Sequence, residues 1–121
     1  MTTSERTHKD SFKDAFSGLK WTVVTQPNFR IHLILSVLAL AFGFWLQITF
    51  VEMAIIVFTV ILGLTAEMIN TSIEAMTDLI TKERREDARI AKDVAAGMML
   101  LTAIGAVLVA ICIFVPYFIT I

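Results

Sequence analysis

Glu67, Asn70, Glu74 and Asp78 stand three, four and four residues apart in the segment from Ala66 to Asp78. At about 100° per residue, a helix gathers the four within roughly 80° of arc. Most of their neighbours are apolar or small. Such a row climbs about 16 Å along one helix face, at about 1.5 Å per residue. Its hard oxygens suit a divalent cation such as magnesium. One carboxylate could also act as a general base toward a hydroxyl. Two other uses compete. The row could be an acid ladder paired with bases, or part of a proton or cation path. The other apolar stretches hold no Lys or Arg, so paired bases would have to come from the rim. A cation path typically needs one buried carboxylate rather than four polar groups leading outward.

Ala91-Lys92-Asp93 forms a second cluster, ahead of a long uncharged run. A helix opening there would favour anions at its N-terminus. Lys92 could meet phosphate and Asp93 a metal. Lysines beside a membrane commonly serve only as anchors, so the cluster gains meaning from the acidic row. Together they suit a nucleotide on one side and a lipid on the other. No Gly-x-x-x-x-Gly-Lys-Ser/Thr segment occurs, which excludes a P-loop.

The elements that carry these groups follow from hydropathy. Of 121 residues 57% are hydrophobic and 17% charged, too apolar for a water-soluble chain of this length. Lipid is the expected solvent. Ile31 to Val51 carries no fixed charge, and His32 is its one titratable group. That run can cross a hydrocarbon core of about 30 Å. Met53 to Ala66 is apolar again, and Val94 to Ile121 has no charge over 28 residues. Helices are predicted at 30–48, 52–80 and 88–119, within one unit covering 1–121. A carboxylate inside a span costs a few kcal/mol, so the acidic row must face a polar cavity.

Five of the ten Lys and Arg residues precede the first span, Arg6 and Arg30 among them, and five lie between Lys82 and Lys92. The positive-inside rule places the N-terminus and the second connection in the cytoplasm. The first connection is too short for an external domain. Residues 1–28 read as a cytoplasmic tail and surface helix, without a secretory signal. Phe12, Phe16, Leu19 and Val23 recur at helical spacing, and Trp21 suits an interface. A plain membrane anchor fits that pattern equally well. Pro27 ends the surface helix or starts the first span. Thr102, Ala106 and Ala110 make a small face, suited to helix contact within or between subunits. A net charge of −1 gives no case for nucleic-acid binding. Cys112 has no partner for an intrachain disulfide.

Taken together, Glu67-Met68-Ile69-Asn70-Thr71-Ser72-Ile73-Glu74-Ala75-Met76-Thr77-Asp78 and Ala91-Lys92-Asp93-Val94-Ala95-Ala96-Gly97 closely resemble the prokaryotic diacylglycerol kinase family, which includes undecaprenol kinases. The resemblance extends to Gly18-Leu19-Lys20 and Asn28-Phe29-Arg30-Ile31-His32. It implies an all-α membrane protein: a homotrimer of three-span subunits, each with an amphipathic surface helix. It implies a bacterial cytoplasmic (inner) membrane location and active sites shared between neighbouring subunits. The implied reaction moves the ATP γ-phosphate to a membrane lipid alcohol, with Mg²⁺. Glu67 would be the general base. Asn70 would hold the site together, Glu74 would bind metal and phosphate, and Asp78 would organise the nucleotide site. Lys92 and Asp93 would lie at the phosphates, and Glu83, Arg84 and Arg85 near the adenosine. Lys20, Trp21, Asn28, Phe29, Arg30 and His32 would lie near the lipid.

Two positions depart from the family pattern. Gln26 stands where some members carry a second metal-binding glutamate, and a neutral amide oxygen binds Mg²⁺ less strongly. Asp14 replaces an aromatic residue near the nucleotide. The segments Asn28 to His32 and Ile90 to Gly97 look more like the undecaprenol branch, which favours undecaprenol as acceptor over diacylglycerol. The competing class is a non-enzymatic membrane subunit for cation passage or assembly.

Overall fold

The computed structural model describes residues 7–120, which form four helices: α1 (His8–Thr25), α2 (Pro27–Leu46), α3 (Phe50–Ile80) and α4 (Glu86–Ile119). The expected tail of residues 1–6, with Arg6, lies outside the described residues. α2, α3 and α4 are each long and apolar enough to cross a membrane. The described residues are thus all-helical in architecture, with three candidate spans.

Local chemistry explains where the helices differ from the predicted bounds. α1 begins at a capping box: Asp10 N–H donates to Thr7 Oγ1 at 3.2 Å, and Thr7 N–H donates to Asp10 Oδ2 at 3.4 Å. α2 starts three residues early because Pro27 fits the first turn, where its missing N–H costs nothing. Gln47 ends it in the left-handed region, at φ 55°. α3 opens on a second capping box, Thr49 with Glu52, at 3.1 and 2.9 Å. α4 takes in Glu86 and Asp87, acids that favour a helix N-terminus.

α3 packs chiefly on α4 and secondarily on α2, while α1 touches α2. The core of the single chain is thin. Phe29, Ile56, Ala66, Ala95 and Ile113 are buried, but no large side chain is fully enclosed among the described residues. Phe44 and Phe50 are 81% and 92% exposed, so lipid or other protein must cover them. Phe42 stacks on Trp45 and Phe118 with centroids 5.8 Å apart. Hydroxyls along the long helices turn inward: Ser36, Thr59, Thr71, Thr77 and Thr102 donate to carbonyls of their own helices.

Candidate active site

α3 sets the acidic row. Glu67 lies deepest and is 6% exposed. Its carboxylate has no hydrogen bond or ion pair among the described residues. Asn70, one turn on, holds its Oδ1 buried and without a partner. An unpaired buried acceptor is uncommon and calls for an explanation. Glu74 and Asp78 are exposed nearer the end of the helix.

α4 supplies the counter-charge. Lys92 Nζ donates to Asp78 Oδ1 at 2.8 Å, joining the acidic row to the start of α4. Glu74 adds to the negative field at that ammonium. Arg89 bonds Asp93 at 3.0 Å and Glu86 at 2.7 Å, at helical spacings. Glu83 accepts from Arg85 at 3.3 Å. Asp78, Glu83, Arg84, Arg85, Lys92 and Asp93 share the walls of one cleft of about 560 Å³. That size suits a small polar ligand. Six of the predicted residues are therefore brought together.

The other predicted residues stand apart from this cleft. Gln26 is the hinge between α1 and α2, and its Nε2 donates to Thr25 Oγ1 at 3.2 Å. Lys20, Trp21 and Asn28 are exposed, and His32 is half-buried. Phe29 is 4% exposed and belongs to the core. Arg30 Nη1 donates to the carbonyls of Val23 and Val24 at 3.0 and 2.7 Å, bracing the corner between α1 and α2. His32 stands at the edge of a second, apolar groove of about 410 Å³, which runs past Ser36, Ala39, Gly63, Thr102 and Ala106 to Phe114.

Sequence reasoning missed Arg89, which also lines the polar cleft. Its spacing to Glu86 and Asp93 was the available signal. It missed a distant contact as well: Tyr117 donates its hydroxyl to Glu52 Oε1, joining the far ends of α3 and α4. No local pattern marks that pair.

Known proteins place the chain. The sequence profile of the family described as prokaryotic diacylglycerol kinase matches residues 13–114. A diacylglycerol kinase of Synechocystis is 37% identical over 88% of this chain, which spans 61% of that relative's length. An undecaprenol kinase of Bacillus subtilis is 36% identical over 88% of the chain and 86% of its own length. A diacylglycerol kinase of Escherichia coli is 28% identical over 78% and 77%. With an acidic row facing a lysine across two long apolar helices, and a profile match covering most of its length, the chain belongs to the prokaryotic diacylglycerol kinase family.

Proposed function

We propose that this chain is a membrane lipid kinase that transfers the ATP γ-phosphate to a lipid hydroxyl, with undecaprenol favoured over diacylglycerol. The observation that carries the reading is the Asp78–Lys92 bond, which sets a cation beside the row ending in buried Glu67. Lys92 has an exchangeable partner in the bare chain. An entering phosphate would take the ammonium from Asp78, at similar distance and with more charge. Arg84, Arg85 and Arg89 line the cleft around it and can offset the remaining phosphate charge.

Seven residues separate Glu74 from Glu67, about 10 Å along the helix. A hydroxyl and the transferring phosphoryl group fill a gap of that size. The lipid hydroxyl oxygen attacks the γ-phosphorus, the bond from γ-phosphorus to the bridging oxygen breaks, and ADP leaves. Glu67 takes the hydroxyl proton. Asn70 Oδ1 offers an acceptor to a donor the bare chain lacks. The residues also fit magnesium. The ion keeps waters and substrate phosphates as ligands and needs only one or two protein oxygens. Glu74 has no hydrogen bond or ion pair among the described residues, and Gln26 spends only its nitrogen on Thr25. Glu74 would hold the ion, with Gln26, apart from the cleft in the single chain, as the second candidate ligand; when bound, the ion would neutralise charge on the β- and γ-phosphates.

Further parts of the proposal concern placement. The arginines and lysines from Lys82 to Lys92 support a cytoplasmic side for the polar cleft, and the reading takes the membrane to be the bacterial inner membrane. α1 lies along that surface, supported by exposure of Phe12 and Phe16 at 67% each. A homotrimer covers the apolar faces that one chain leaves bare. For the acceptor, overall identity is even between the two names, 37% and 36%. The Asn28–His32 and Ile90–Gly97 segments tip the choice to undecaprenol.

The test is transfer of radiolabelled γ-phosphate in micelles containing magnesium, with undecaprenol and diacylglycerol assayed side by side. Product on a lipid alcohol, faster with undecaprenol, is expected. No labelled lipid from either acceptor overturns the kinase reading. Faster diacylglycerol turnover overturns the acceptor.

A further inference from the structure

α3 and α4 are joined by two polar ties among the described residues, one at each end. Asp78 meets Lys92 beside the candidate site, and Glu52 meets Tyr117 at the opposite end. The separations match. Glu52 and Asp78 are 26 positions apart, and Lys92 and Tyr117 are 25. At about 1.5 Å per residue these are about 39 and about 38 Å, so two antiparallel rods are pinned in one register.

The distant tie is built rather than incidental. Glu52 Oε1 accepts both the Thr49 N–H, at 2.9 Å, and the Tyr117 hydroxyl. The capping box thus fixes the carboxylate before Tyr117 reaches it. Both side chains are half-buried. Tyr117 is the only tyrosine in the chain. It follows Pro116, which lacks an N–H and leaves the preceding turn of α4 one bond short. That turn has less helical rigidity of its own, so an outside anchor matters more there.

We propose that Tyr117 and Glu52 are positioning residues: their bond holds the register of α4 on α3 while Lys92 leaves Asp78 for a phosphate. This rests on the kinase reading above. In the bare chain two ties share the work. At the moment of transfer the near one is open, and the far one is the polar tie that remains, beside the α3–α4 packing, to keep Lys92 level with the acidic row. The effect therefore falls on turnover rather than on nucleotide capture.

The test has a kinetic and a structural arm, both on purified full-length protein in lipid vesicles. Tyr117→Phe removes one hydroxyl. We expect kcat to fall about tenfold, as for loss of one hydrogen bond to an ionised group, with KM for ATP within about twofold. Glu52→Gln keeps both bonds on its amide oxygen but loses the charge, so its kcat should fall less than that of Tyr117→Phe. For the structural arm, spin labels at Leu79→Cys and Ile90→Cys, in a Cys112→Ala background, report the α3–α4 distance near the site. Lys92→Ala or Tyr117→Phe alone should leave the distance distribution narrow, and the two together should broaden it. A Tyr117→Phe enzyme within twofold of wild-type kcat overturns the proposal, as does a narrow distribution in the double variant. If wild type phosphorylates nothing, the kinase reading fails, and the label distances still decide whether the far tie holds the register.

Discussion

Replacing Glu67 by Gln separates chemistry from binding. The substitution keeps size and removes the carboxylate's basicity at a position 6% exposed. General-base catalysis is worth about 10²- to 10⁴-fold, or about 2.7 to 5.5 kcal/mol of transition-state stabilisation. Nucleotide binding should scarcely change. Glu67 and Asp78 are eleven positions apart, about 16 Å along α3. One unit charge at that distance acts on another with about 0.3 kcal/mol in water and about 1 kcal/mol at an effective dielectric of 20. The lost charge is negative, so ATP should bind slightly more tightly, by about 1.5-fold per unit of phosphate charge at the solvent-exposed cleft. The assay pairs kcat from labelled-phosphate transfer with ATP affinity from equilibrium binding. A fall in kcat under tenfold, or ATP affinity weakened more than tenfold, would refute the base assignment. The second outcome would mean that Glu67 organises the nucleotide site instead.

Other substitutions probe the scaffold. Arg30→Gln frees the Val23 and Val24 carbonyls. It should loosen α1 by about 1 kcal/mol, seen as faster amide exchange over residues 18–25 with the spans unchanged. Gly43→Ala should leave stability within about 1 kcal/mol of wild type, because the Ile48 and Met53 side-chain ends must shift while helix propensity gains about 1 kcal/mol, read as a nearly unchanged unfolding midpoint in detergent. The added Cβ would stand 2.9 Å from Ile48 Cδ1 and 3.3 Å from Met53 Cε.

The candidate spans were legible because charge is so scarce between Ile31 and Val51 and after Val94. Helix ends were less so. Pro27 could close one helix or open the next, and the structure gives it to α2. The Glu67-to-Asp78 spacing fixed a common face, since helical period alone determines it. Which base meets that face was not readable: Lys92 reaches Asp78 across 14 residues of sequence. Arg30 and Phe29 show the same limit. No local pattern says that one meets the Val23 and Val24 carbonyls or that the other is buried. Tyr117 lay in an apolar run with nothing nearby to suggest Glu52, 65 residues away. Periodicity reports what one element must do. Contacts between elements depend on packing that no single period encodes.

The inward-turned hydroxyls bear on biogenesis. Ser36, Thr59 and Thr102 close their bonds within their own helices and ask nothing of neighbours. α2 and α4 can therefore enter a bilayer with their backbone bonds and these hydroxyls already satisfied, while Tyr117 waits for Glu52. α3 differs. Its Thr71 and Thr77 are self-contained, but Glu67 and the Asn70 oxygen are not. A carboxylate at depth costs about 2.5 to 3.5 kcal/mol on insertion scales. Packing against α2 and α4 leaves both groups without a partner among the described residues, so the finished bundle has a reason to admit water or substrate where a simpler helix would stay sealed.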